Sequence, residues 1–181
     1  MPKKVKNVAY FSQTVESRIF FCDKLTTSSD HLVLFTDAAS TLGFGDTSRE
    51  DGLVAIAHLS YIMDSEMPMA FRELYPIFVA AVLWSKYWIQ NRVVFHCDNE
   101  STVHIITKRW SRVQDIMKLM CKLTWLAATN NFTFSSKHIP GVTNVISDAL
   151  SRFDFQTFRK EALDADVQAT TCPHYSLVIW N

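Results

Sequence analysis

Apolar positions along the chain fall into short runs and one long periodic stretch. His31-Leu-Val-Leu-Phe-Thr-Asp37 is a compact apolar run ending in a carboxylate, as a buried strand does, and Leu53-Val-Ala-Ile-Ala-His-Leu59 is a second. Gly43 and Gly45 lie between them and predict a hairpin, with glycine supplying the turn or a close backbone approach. From Ala70 to Gln90, Leu74, Ile77, Phe78, Ala81, Trp84 and Trp88 recur at helical spacing. This predicts a long helix with Pro76 in its first turns, where proline costs least.

Val93-Val-Phe-His-Cys97 again reads as a strand and runs into Asp98. Asn99 to Lys108 and Gln114 to Thr129 read as two helices separated by the basic link Lys108-Arg109-Trp110-Ser111-Arg112. Phe132-Thr-Phe-Ser-Ser-Lys137 alternates like a half-exposed strand, His138-Ile-Pro-Gly141 breaks it, and Asn144 to Arg152 reads as a last short helix. The order ββ(β)αβααβα implies a mixed sheet covered by helices, an α/β architecture. Residues 1–30 read as a mixed lead-in, 31–152 as the domain proper, and 153–181, with weak periodicity, as a tail that either docks or moves freely.

Composition narrows this further. With 181 residues, 48% of them hydrophobic, and only 4 Gly and 5 Pro, the chain is a folded domain rather than a disordered or fibrous one. A core of this size buries about 68–70% of its unfolded surface, so stability needs no disulfide or metal staple. Cys22, Cys97, Cys121 and Cys172 show no CxxC spacing and read as reduced, intracellular thiols. The basic start Lys3, Lys4, Lys6 is followed by no apolar signal-like stretch, and nowhere do 18 uncharged apolar residues run together, so an intracellular chain without a membrane span is expected. Lys+Arg and Asp+Glu balance at 18 each, so a nucleic-acid partner would be held by local patches rather than by a global field.

The candidate chemistry is carboxylate chemistry. Asp37 and Asp98 each end a strand at the carboxyl edge of the sheet, where open α/β sheets place their ligands. Glu73 is read as a first-turn acid of the long helix, and Asp148 lies one turn beyond Asn144 on the last one. Two unit charges ~4 Å apart repel by about 4 kcal/mol at an effective dielectric of ~20, so four converging carboxylates require cations. All-oxygen ligands favour Mg²⁺ or Mn²⁺. The bland alternative is that these acids are ordinary turn residues and helix-dipole partners.

Four stretches sharpen the choice: Phe35-Thr-Asp-Ala-Ala-Ser-Thr-Leu-Gly-Phe-Gly45, Phe71-Arg-Glu-Leu-Tyr-Pro76, Val93-Val-Phe-His-Cys-Asp-Asn99, and His138-Ile-Pro-Gly-Val-Thr-Asn-Val-Ile-Ser-Asp-Ala-Leu-Ser-Arg152. In them the chain resembles the ribonuclease H domain that follows reverse transcriptase in retroelements, most closely that of DIRS-type retrotransposons, over roughly residues 31–152. The last stretch is the most specific. The resemblance implies an RNase H-like α/β fold, a five-stranded mixed sheet with helices on both faces. It implies catalytic, metal-holding acids at Asp37, Glu73, Asp98 and Asp148 and a mobile histidine at His138. The implied activity is metal-dependent endonucleolytic hydrolysis of the RNA strand of an RNA/DNA hybrid, with two Mg²⁺ ions, or Mn²⁺ as substitute, about 3.5–4 Å apart. Asp37 would bridge both ions, Glu73 and Asp98 would complete the site at the leaving 3′ oxygen, and Asp148 would hold the nucleophile-side ion. Histidine exchanges protons near neutral pH, so His138 would shuttle protons or assist product release. The sequence departs from the family at Asp46, where a small residue is usual, and the expectation is that an extra negative charge there weakens substrate approach. A polymerase domain is the expected partner.

Substrate contacts are less sharply drawn. Asn99 either touches the hybrid's backbone or a 2′-OH, or caps the following helix. Asn144 positions its loop or, by preference, caps the last helix. Lys108, Arg109 and Arg112 form the one dense basic link, suited to phosphates and equally to a solvated turn. Trp84 and Trp88 read as core, which leaves Trp110 open to base stacking. Tyr61-Ile-Met-Asp64 is read as core, not as a polymerase metal motif. The alternative from another class is a catalytically silent RNase H-like module that binds nucleic acid or protein.

Overall fold

A computed structural model describes residues 31–39, 43–48, 54–58, 67–166, 168–170 and 172. Residues 1–30 and the Tyr61–Asp64 tetrapeptide lie outside the described residues. Five strands, β1 (His31–Ala38), β2 (Gly43–Ser48), β3 (Val54–His58), β4 (Arg92–Cys97) and β5 (Thr133–His138), form one sheet in the order β3-β2-β1-β4-β5. β1, β2 and β3 pair antiparallel, whereas β4 lies parallel to both β1 and β5. The expected five-stranded mixed sheet is therefore present. The glycines do not form a turn, however, because both belong to the strand β2.

The helices are α1 (Met69–Trp84), α2 (Glu100–Lys108), α3 (Gln114–Thr129), α4 (Val145–Ser151) and α5 (Phe155–Glu161), with 3-10 turns at Ser85–Tyr87 and Gly141–Thr143. They cover both faces, as the alternation along β3 shows. Ala55 joins the large apolar cluster with Leu34, Phe44, Leu74, Trp84 and Phe95, while its neighbour Val54 joins Ala149, Leu150 and Phe158 on the opposite side. Trp84 and Trp88 are fully enclosed in the large cluster, as their spacing implied.

Two expectations about α1 need correction. The helix gives way to a 3-10 turn after Trp84 instead of continuing to Gln90, and Pro76 stands at its eighth position of sixteen. Proline withdraws one main-chain donor there, and burial of Pro76 with Tyr75 and Ile77 offsets that loss. Within 153–172 the docking alternative holds: Phe158 of α5 packs on α4's residues Ala149 and Leu150, and Thr170 N–H donates to the Val54 carbonyl at 2.7 Å. Among the described residues, no helix is long and apolar enough to cross a membrane.

Candidate metal centre

The parallel pairing of β1 and β4, with Phe35 opposite His96, brings the carboxyl ends of the two strands to one edge. Asp37 lies at that end of β1, and Asp98 follows the last residue of β4. Glu73 is the fifth residue of α1 rather than a first-turn acid, so it gains little from the helix N-terminus. Instead it is 96% enclosed over the sheet edge, being 4% exposed. Donor atoms of Glu73, Cys97 and Asp98 all lie within 4.8 Å of one another. The Cys97 thiol donates to Glu73 Oε2 at 3.9 Å and accepts from the Asn99 N–H at 3.4 Å.

Asp148 comes from the other face, in the first turn of α4. Its Oδ1 accepts from Arg152 Nε at 2.7 Å, and both side chains are partly solvated. The Ser151 hydroxyl, at the end of the same helix, donates to Asp37 Oδ2. The charges of Asp98 and Asp148 both act on Asp37, and those of Asp37 and Asp98 act on Glu73, so four elements deliver carboxylates to one region.

The electrostatics follow from crowding and burial. Desolvation, partly offset by the Ser151 bond, and the nearby acids raise Asp37 to about 6. Burial and the like charges of Asp37 and Asp98 raise Glu73 to about 9, against a backbone hydrogen bond at Ala38 that lowers it. Burial, then the neighbouring Glu73 carboxyl, pushes the Cys97 thiol far up. Two buried carboxyls, Asp37 and Glu73, beside the partly solvated Asp98 and Asp148 fit a divalent cation, whose charge reverses each of those repulsions.

Asp46 corrects an expectation. Directly opposite Thr36 in the β1–β2 pair, it points into the large cluster with no exposure, and neither carboxyl oxygen has a hydrogen-bond partner among the described residues. Burial, then the charge of Asp37, raises its carboxyl well above the usual range, and with no exposure it is turned away from any substrate surface.

His138 ends β5, exposed, with Nε2 3.1 Å from the Asp98 carbonyl. The following turn passes so close that a Cβ on Gly141 would lie 3.1 Å from Asp98 Oδ2, so a side chain there would press on that carboxylate. Asn99 caps α2: its Oδ1 accepts from Thr102 N–H at 3.0 Å. Asn144 occupies the cap position of α4 without capping it. Its Nδ2 donates instead to the Thr36 carbonyl at 3.1 Å, and the side chain is buried.

Lys108, Arg109 and Arg112 are not gathered to the acids. Arg109 sits 3.5 Å over the Phe134 ring and donates to the Phe134 carbonyl at 2.6 Å, toward the opposite end of β5 from His138. Trp110 beside it is 56% exposed. An open groove of about 670 Å³, lined by Glu100, Ser101, His104, Ile105, Thr107 and His138, runs along α2 from the edge that carries the acids. The sequence reading missed Cys97 and Ser151 as neighbours of the acids. The signal for Cys97 was its place before Asp98; Ser151 gave none beyond its place in the last motif.

No family model matches the chain, and no curated protein matches it. Among solved structures, it is similar to the N-terminal RNase H domain of Rv2228c from Mycobacterium tuberculosis, solved as a maltose-binding-protein fusion. That match has a TM-score of 0.51 and 16% identity, and covers 67% of this chain and 95% of that one. It is also similar to LC11-RNase H1 in complex with an RNA/DNA hybrid, with a TM-score of 0.50 and 15% identity over 66% of this chain and 92% of that one. At these identities the likeness speaks to architecture: the chain has an RNase H-like fold.

Proposed function

We propose that the chain is a metal-dependent endonuclease that hydrolyses the RNA strand of RNA/DNA hybrids and derives from a retroelement. The observation that carries this reading is the set of carboxyls that four elements bring to one end of the sheet, where the charges of Asp98 and Asp148 act on Asp37 and those of Asp37 and Asp98 act on Glu73. Support for the substrate comes from LC11-RNase H1, a neighbour solved with such a hybrid. Support for the retroelement origin is the His138-to-Arg152 motif and its neighbours in order. On this reading 31–152 is the catalytic unit, intracellular, and a reverse transcriptase polymerase domain is its natural partner.

Mg²⁺, or Mn²⁺ in its place, would supply Lewis acidity and an activated water at this site. Asp37, whose carboxyl feels the charges of both Asp98 and Asp148, would hold both ions, Glu73 and Asp98 one of them, and Asp148 the other. The burial of Glu73 and Cys97 keeps bulk water from the inner side of the cluster. His138, with Nε2 on the Asp98 carbonyl, keeps Nδ1 for proton exchange with the departing product. Asn99 shapes the site by capping α2, and Lys108, Arg112 and Trp110 could contact the hybrid only at a distance from the acids. Arg109 serves Phe134 first.

The test is incubation of labelled hybrid with the protein in Mg²⁺, with EDTA and Asp98→Asn as controls. Cleavage lost in both controls supports the reading. Absence of cleavage at high protein concentration would promote the silent binding module, and cleavage surviving Asp98→Asn would mark a contaminant.

A further inference from the structure

We propose that Ser151 is a positioning residue: its buried hydroxyl aims the Asp37 carboxylate and ties strand β1 to helix α4, so that Asp37 and Asp148 are presented to metal as one preassembled unit. The inference rests on the metal-dependent reading above and names a residue that reading does not use.

Ser151 has no solvent exposure, so its hydroxyl must find a protein partner. Two acceptors are in reach, Asp37 Oδ2 and the Asp148 carbonyl at 2.9 Å on the same helix. A hydroxyl has one proton to give. A hydrogen bond to an ionised carboxylate is roughly twice as strong as one to a neutral carbonyl, so the proton belongs to Asp37 whenever Asp37 is charged. Ser151's own need could be met by the carbonyl alone, as serines in helices commonly do. The approach to Asp37 is therefore an additional feature of the geometry.

A second tie runs in parallel. At the other end of α4, Asn144 Nδ2 donates to the carbonyl of Thr36, the residue before Asp37, while the Asn144 carbonyl accepts from the Asp148 N–H at 2.9 Å. The main chain of β1 is thus held at one end of α4 and the Asp37 side chain at the other, with Asp148 between them. Helix α4 can sit this close because residue 45 of β2 is glycine: a Cβ there would overlap that of Leu150 and lie 3.1 Å from the Ser151 nitrogen. The Ser151 bond also opposes the burial that disfavours the charged form of Asp37.

Outer-shell partners of metal-binding carboxylates are worth about 10–100-fold in metal affinity. Ser151→Ala is therefore expected to weaken Mn²⁺ binding to the full chain about tenfold, measured directly by electron paramagnetic resonance. The Mn²⁺ concentration for half-maximal hybrid cleavage should rise in step, while kcat at saturating metal changes far less. Ser151→Thr, which keeps the hydroxyl, should bind like the wild type, and a melting curve in EDTA checks that each variant folds. Ser151→Cys, a weaker donor of similar size, gives the same reading if the alanine variant does not fold. Unchanged Mn²⁺ affinity in a folded Ala or Cys variant overturns the proposal, as does a threonine variant as weak as alanine. A wild type that binds Mn²⁺ through Asp37, shown by loss in Asp37→Asn, but cleaves no hybrid would sink the nuclease reading and leave this inference standing. A wild type that binds no Mn²⁺ sinks both.

Discussion

A fully enclosed carboxyl group that exchanges no hydrogen bond is destabilising in either protonation state, and both oxygens of Asp46 are in that position. Replacing it with an apolar side chain of similar volume removes the penalty without opening a cavity. Asp46→Val is therefore expected to stabilise the protein by about 1–3 kcal/mol, read from urea denaturation at neutral pH, where core substitutions ordinarily destabilise. Nothing in the sequence marks Asp46 as inward-facing, because its orientation depends on the register that sets it opposite Thr36 and Ala55. Glu73 presents the reverse case. Glu73→Gln keeps the shape and removes a group whose ionisation burial and the charges of Asp37 and Asp98 oppose, so it should leave the metal-free protein at least as stable as the wild type. Hybrid cleavage by the same variant is expected to fall by more than about a hundredfold, beyond what an outer-shell partner costs. Parallel melting and cleavage measurements on the one protein separate the two effects.

Element β2 shows what pairing can impose on a weak local signal. Gly43-Phe-Gly-Asp-Thr-Ser48 has one large apolar residue and two glycines, a composition disfavoured in strands, yet it is held between β1 and β3 on both sides. The sequence consequently shows β1, β3, β4 and β5 through their apolar runs and leaves β2 looking like a turn. Helices α2 and α3 are legible nearly to the residue because their period is clean and Asn99 announces the start of α2. The places of Asp37, Asp98 and Asp148 were legible for a related reason, since strand ends and helix starts are visible in the pattern, whereas Glu73 lies deeper in α1 than a first-turn acid. The contacts of Ser151 and Asn144 were not legible, since they depend on how α4 is rotated and how closely it approaches β1. Gly45 sets that approach. Gly45→Ala is expected to destabilise by about 1–3 kcal/mol in urea, through overlap with Leu150, and to lower metal affinity as α4 and Asp148 are displaced.

At the scale of the molecule, the acid cluster stores repulsion that protons or cations can relieve. Folding raises the Asp37 carboxyl from 3.8 to about 6 and that of Glu73 from 4.5 to about 9. Between those values the native chain holds more protons than the unfolded one, so stability falls as pH rises. The contribution is fully present below the unfolded values and is lost as pH climbs through about 6 for Asp37 and about 9 for Glu73. A divalent cation competes for the same oxygens, binds the ionised form, and so stabilises more as protons leave; at a hundred times its Kd it would add about 2.7 kcal/mol. Melting temperature in EDTA should therefore fall across this range, and Mg²⁺ should restore it at the alkaline end while changing little at the acid end. Because the acids hang on β1, β4, α1 and α4 together, the effect should appear in the cooperative unfolding of the whole described domain rather than in one loop. In Glu73→Gln the alkaline part of the decline should shrink, leaving the contributions of Asp37 and of the buried Asp46; an undiminished slope in that variant would place the titrating group elsewhere.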